Sequence, residues 1–190
     1  MLKTFILPGF LVLAIAQWFV PGLMIWQKEK VLDKGIPYRF QSAPVDPADP
    51  FRGRYIILNF KETSFKTRDP LKLSYGSKIY VTFSNDPNGF AMIKSVHEKK
   101  PDRQAYIETT LNNIRRVKDT TIVEINYPFN IFYLDEYKAP KAETIYQESV
   151  LDSTQRTYAL VNILNGDAVI KDVYINDTSI HELLRKRAIR

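Results

Sequence analysis

The residues of this 190-residue chain best suited to chemistry lie in one proline-rich stretch: Asp46, Asp49 and Arg52, followed by Gly53, Arg54 and Tyr55. Two carboxylates that meet can pass a proton or hold a hard cation such as calcium through oxygen. Folding would have to bring Glu136 and Glu143 beside them to complete a cluster on the rim of the domain. The same residues also make a good rigid turn. Asp46 and Asp49 sit among Pro44, Pro47 and Pro50, where they can cap backbone amides. Arg52 can fork onto either carboxylate. Gly53 can take a backbone angle that bends the chain into the next strand. The turn is the expected role. The alternative is an envelope hydrolase, or a cation- or ligand-binding domain, using Asp46, Asp49 and Glu136.

Little else in the sequence offers catalysis. There are no cysteines, which excludes disulfides and thiolate metal sites. The two histidines, His97 and His181, are far apart, and no metal site is expected from them. No Gly-x-Ser-x-Gly elbow, phosphate loop or dinucleotide fingerprint occurs, so no cofactor is expected. The net charge of +6 and the pI of about 9.4 describe a dispersed basic excess. Its one dense cluster is the tail Arg185, Lys186, Arg187 and Arg190. Basic and aromatic residues can together stack single-stranded nucleic acid. A membrane anchor argues against that partner here, and none is expected.

The anchor is the N-terminal segment. No charged residue occurs from Thr4 to Trp26. As a helix, residues 5–26 would span ~33 Å, enough for a hydrocarbon core of about 30 Å. Trp26 stands where an interfacial anchor belongs, and Lys28 and Lys30 follow it. A cleavage site at Ala14-Ile15-Ala16 is the competing reading. Cutting there would leave the apolar run Gln17–Trp26 at the new N-terminus, so an uncleaved signal-anchor is expected. Sidedness is opposed by two arguments. Lys28, Lys30, Lys34 and Arg39 outnumber Lys3, which favours a cytoplasmic domain. A signal-anchor places the domain outside, and this extracytoplasmic location is the expectation carried forward.

The remaining elements follow from periodicity. Residues 1–26 are read as anchor, 27–34 as a polar linker and 35–190 as one β-rich domain. Ile36, Tyr38 and Phe40 alternate with polar residues, as a half-buried strand requires. Strands are expected over Tyr55–Phe60, Ala105–Leu111, Thr121–Tyr127 and Asn130–Leu134. Hairpins are expected at 77–84 with 90–97, and at Thr157–Leu164 with Asp167–Tyr174 across Asn165-Gly166. Lys138–Leu151 reads as a helix with Pro140 in its first turn. Ser179 and Glu182 have capping-box spacing before a short basic helix. The connections are too short for parallel crossovers, which predicts an antiparallel β sandwich or partly closed barrel with one or two short helices.

The stretch Pro44 to Phe60 resembles the signature of the GDYXXLXY family, bacterial membrane-anchored proteins. A Pro-x-Asp-Pro lead runs through Arg-Gly into the motif. Gly53, Tyr55 and Leu58 match it; Arg54 stands in place of its Asp and Phe60 in place of its final Tyr. Phe132-Tyr133-Leu134-Asp135-Glu136, with Ala139 and Glu143, is similar to the family's second block, with Asp135 where Pro is usual. The hairpin at Asn165-Gly166 fits as well. The resemblance implies membrane location and a multi-pass membrane protein as partner. It implies no chemistry; were the motif Asp catalytic in the family, Arg54 would leave this member inactive. The expected function is therefore a non-enzymatic, membrane-anchored accessory or binding module.

Overall fold

A computed structural model describes residues 2–44, 55–68, 74–102 and 104–188. A long helix, α1 (Leu2–Lys34), leads into β1 (Ile36–Ala43), β2 (Tyr55–Ile57), β3 (Asn59–Phe60) and β4 (Ser64–Thr67). Then come β5 (Lys78–Asn85), β6 (Ala91–His97), β7 (Tyr106–Val117), β8 (Thr120–Ile125) and β9 (Ile131–Tyr133). The chain continues through α2 (Ala139–Leu151), β10 (Thr157–Leu164), β11 (Asp167–Ile175), β12 (Thr178–Ser179) and α3 (Ile180–Ala188).

The helix α1 is 33 residues long and unbroken at Pro8 and Pro21. Along residues 10–26 its large apolar side chains are exposed on every side, with Trp18 82% exposed. It is long and apolar enough to cross a membrane. Residues 27–34, expected as a linker, are helical: they extend α1 and dock its end onto the β-sheet. Val31 is buried, and the Asn162 side-chain amide donates to the Leu32 carbonyl at 2.7 Å. That bond satisfies one of the orphan carbonyls at a helix C-terminus. Gly35 closes the helix by donating from its N–H to Val31 O at 2.9 Å. A Cβ at Gly35 would lie 2.4 Å from Val31 O and 3.0 Å from Asn162 Cβ, so only glycine lets the chain turn so tightly. Lys28 reaches Asp167 at 3.0 Å, at the start of β11.

The strands are antiparallel throughout their pairings. One sheet has the order β12-β11-β10-β1-β3, another β4-β8-β7-β5-β6, and β2 pairs with β9 as a separate ribbon. The edge strands β4 and β6 approach each other, so the second sheet curls into a nearly closed barrel. The two large sheets are stitched where Glu108 N–H donates to Gly166 O at 2.9 Å and Gly166 N–H to Tyr106 O at 3.1 Å. Gly166 has φ +97, and a Cβ there would sit 3.0 Å from the Tyr106 ring. With Asn165 at φ 52, it forms the two-residue turn that a right-twisted hairpin prefers.

The core follows from alternation. On β1, Phe40 points inward while Arg39 is exposed; on β10, Ala159, Val161 and Ile163 are buried. Phe40 is 1% exposed and meets Phe60, Phe83, Tyr127 and Phe129 with ring centroids 5.0–5.5 Å apart. These rings come from both large sheets and from the loop after β8, and edge-to-face pairs of this kind add about 0.5–1.5 kcal/mol each to their burial. The Tyr127 hydroxyl donates to the Glu62 carbonyl, so its one polar atom is satisfied. Burial pushes its pKa well above the ordinary tyrosine value.

Local expectations fare differently by element. The hairpin β10–β11 and the helix α2 fall at the expected positions. The expected strand Tyr55–Phe60 is divided, because Leu58 N–H turns to Asn130 O at 2.8 Å and the chain passes from β9 to β1. Tyr127 lies in the core beyond the end of β8. Only half of the capping box forms. Ser179 Oγ accepts from His181 N–H at 3.2 Å and donates to Asp172 at 2.6 Å, but Glu182 pairs forward with Lys186 at 2.8 Å.

Candidate functional site

The two motif blocks, some seventy residues apart in sequence, meet in space. In the ribbon, Tyr55 lies opposite Tyr133, Ile56 opposite Phe132 and Ile57 opposite Ile131. The alternation of a strand divides them into two faces. Ile56 and Phe132 are buried at 1% and 7% exposure. Tyr55 and Tyr133 stand outward as an edge-to-face pair with centroids 5.9 Å apart, and Tyr133 is 70% exposed. Ile131 shares that outer face. Opposed aromatics of this kind stabilise a short ribbon by a fraction of a kcal/mol to about 1 kcal/mol. They also leave an aromatic surface in water.

This ribbon lies near the end of β1 that points away from α1. Ser42 and Ala43, the last residues of β1, pair with β3, which follows β2 after one residue. The first residue of β1, Ile36, is beside the docked end of α1. Seven strand steps separate the two ends, about 23 Å.

Of the sequence-expected site residues, Asp46, Asp49, Arg52, Gly53 and Arg54 lie outside the described residues. Tyr55 is in the ribbon. Glu136 is exposed in the turn between β9 and α2. Glu143 is half-buried on α2, where it accepts from the Gln147 side chain at 3.4 Å. Among the described residues, no group of three His, Asp or Glu side chains converges in a metal-binding array.

Asp135 starts the helix. Its carbonyl accepts from Lys138 N–H at 2.8 Å and Ala139 N–H at 2.9 Å. Its carboxylate binds the Lys138 ammonium, which holds that carboxyl below the usual range. Both groups are more than half exposed, so the pair adds little stability. On α2 itself, Tyr146 is buried, and burial pushes its hydroxyl pKa up to about 12. The Ser42 hydroxyl and Asn59 backbone lie near enough to pull weakly the other way, without hydrogen-bonding geometry.

A second constellation was not visible in the sequence. On the outer face of the first sheet, Arg39 lies 5.5 Å over the Tyr158 ring. Tyr158 stacks on Tyr174 at 5.3 Å and 11°. Its hydroxyl donates to Asp177 at 2.8 Å. Asn176 and Asp177 have φ of 48 and 61, so a strained turn holds that carboxylate in place. Burial, then Asp177, pushes the Tyr158 pKa to about 12. With Leu160 these residues line a recess of about 380 Å³. Arg39 and Tyr158 are separated by most of the chain, and only the β1–β10 register brings them together.

The model of the GDYXXLXY protein family matches residues 17–173, from within α1 to near the end of β11. No curated protein and no solved structure matches the chain. The match takes in the C-terminal part of the anchor segment, both motif blocks and the Asn165-Gly166 hairpin, and it covers most of the sequence: the chain belongs to the GDYXXLXY family.

Proposed function

We propose that this protein is a membrane-anchored accessory module that binds an integral membrane protein through the motif-bearing rim of its β domain. Residues 5–26 hold it in the bilayer as a single pass, with the domain on the extracytoplasmic side. The observation that carries this reading is the ribbon β2–β9. It joins the two motif blocks and directs Tyr55, Tyr133 and Ile131 outward. Exposed tyrosines beside aliphatic side chains are what the centre of a protein interface is made of.

The position of the rim restricts the partner. A surface about 23 Å from the docked end of α1 meets the extramembrane part of a multi-pass protein, not its lipid-embedded helices. The test is photocrosslinking in native membranes, from a probe at Tyr133 and from a control probe at Val117, which is also exposed. A specific adduct with one multi-pass protein from Tyr133, and none from Val117, is expected. Equal labelling from both positions, or none from Tyr133, would contradict the reading. A reporter fused after Arg190 tests sidedness; activity on the cytoplasmic side alone would overturn that part.

A further inference from the structure

The recess on the outer face of the first sheet has two rims of opposite charge. On β1, Arg39 holds its guanidinium carbon 5.5 Å from the Tyr158 ring centroid. In the turn between β11 and β12, Asp177 stands at the far end of the same ring, where its Oδ1 accepts from the Tyr158 hydroxyl at 2.8 Å. Leu160 and Tyr174 complete the lining of the 380 Å³. Tyr158 is the spacer between the two charges, and it is fixed. It is 4% exposed although it lies on the outer face, because Tyr174 stacks on it at 5.3 Å and Phe90, just before β6, packs edge-on at 5.8 Å.

Neither charge neutralises the other. Among the described residues Arg39 has no carboxylate partner, and its side chain is engaged by the tyrosine ring alone. Asp177 Oδ2 lies 3.9 Å from Arg156 Nη2, beyond hydrogen-bond length, and both side chains are more than half exposed. That oxygen is an open acceptor. A cation over the face of a ring and an anion beyond its hydroxyl are about 8 Å apart. A salt bridge would close that distance; here a buried tyrosine holds it open.

We propose that this recess binds a free α-amino acid, with its carboxylate on Arg39 and its ammonium on Asp177. The span fits. Two charge-assisted bonds of about 2.8 Å each, with roughly 2.5–3 Å between the ligand's own charged groups, cover about 8 Å. Arg39 supplies the planar fork that matches a carboxylate, and stacking on Tyr158 leaves its N–H edges free. Leu160 and the Tyr174 ring form an apolar wall for the ligand's side chain, which favours an aliphatic one. The volume falls within the range of small-ligand pockets. The ligand arrives from water: Tyr158 stands five strand steps, about 17 Å, along β10 from Ile163, which pairs with Ile36 at the docked end of α1. The site does not rest on the rim binding a partner.

The experiment uses the full chain in nanodiscs, with L-leucine as probe and N-acetyl-L-leucine and L-leucinamide as controls at matched concentration and ionic strength. The first control lacks the ammonium and the second lacks the carboxylate. Leucine is expected to bind saturably with a Kd at or below about 1 mM. It should raise the thermal midpoint by about 3–6 °C at tenfold excess over Kd. Each control should bind about 10- to 100-fold more weakly, having lost one hydrogen-bonded charge. Arg39→Gln should weaken leucine by a similar factor and leave leucinamide unchanged. Asp177→Asn should weaken leucine and leave N-acetyl-leucine unchanged. Arg39 is exposed, so its variant should keep the ligand-free midpoint. Asparagine also adopts the φ of 61 at position 177. Should Asp177→Asn unfold, Arg39→Gln alone must weaken leucine and Arg39→Lys must restore part of it. No saturable binding of leucine, controls that bind as tightly as leucine, or leucine binding unchanged in Arg39→Gln would overturn the site.

Discussion

Replacing Gly35 by alanine should uncouple the anchor helix from the domain. The added Cβ would lie 2.4 Å from Val31 O, 3.0 Å from Asn162 Cβ and 3.1 Å from Ile163 N. Two of these neighbours are backbone atoms, in the helix and in β10, so neither can rotate away. Overpacking of this kind costs about 1–3 kcal/mol. Against it stands what the docked helix end gains. Burial of Val31 contributes about 2 kcal/mol, and the Asn162 bond to Leu32 O about 1 kcal/mol. The Lys28–Asp167 pair, with both side chains more than half exposed, adds little. The two sums are of the same size, so the substitution should populate undocked states. The chain has no cysteine, so Glu29→Cys and Lys171→Cys give a clean pair of spin-label sites. The native chain in nanodiscs should show one narrow distance distribution and Gly35→Ala a broad one. The thermal midpoint should fall by about 2–12 °C, at roughly 2–4 °C per kcal/mol for a domain of this size. A distribution that stays narrow with an unchanged midpoint would refute the close-packed junction.

Phe40→Ala removes the ring around which the two sheets' aromatics assemble, and unfolding free energy should fall by about 4–5 kcal/mol, measured by denaturant titration in detergent. Gly166→Ala meets both a φ of +97 and the Tyr106 ring at 3.0 Å; a loss of about 2 kcal/mol is expected, with the β10–β11 hairpin exchanging amide hydrogens faster. Stability should fall as pH rises from 10 towards 12. Tyr146 and Tyr158 have folded pKa values raised from 10.0 to about 12, so their neutral forms are favoured in the folded chain. That contribution is complete below pH 10 and lost as pH passes through the folded values, at up to about 1.4 kcal/mol per unit for each group. Spectrophotometric titration should show these tyrosines ionising together with unfolding, and Tyr146→Phe should flatten the dependence.

What could be read in the sequence was local. Asn165-Gly166 specifies its turn through two positive φ angles, whatever surrounds it, so β10 and β11 fall where alternation places them. Pro140 and the spacing of Ala139, Ala142, Ile145 and Tyr146 mark α2 in the same way. The division of Tyr55–Phe60 was not legible, because Leu58 turns to Asn130, a partner far along the chain. The strand Ser64–Thr67 has no apolar alternation of its own and exists by pairing with β8. The polar residues 27–34 read as a linker, yet Val31 and the Asn162 amide hold them as helix. Sites followed the same division. The motif blocks were visible as sequence, but their union in one ribbon was not. The Arg39–Tyr158–Tyr174–Asp177 recess depends on strand registers that no single segment encodes.

In the proposed arrangement the domain is fixed to its membrane helix, with the motif rim turned away from the lipid. Single spin labels at Asn165, in the β10–β11 turn, and at Tyr137, in the turn after β9, measure this directly through relaxation by paramagnetic lipid headgroups. The label at Asn165 should lie close to the headgroups and be strongly relaxed. The label at Tyr137, about 20–25 Å farther out, should be nearly unaffected. Equal relaxation at the two positions, or stronger relaxation at Tyr137, would contradict the arrangement.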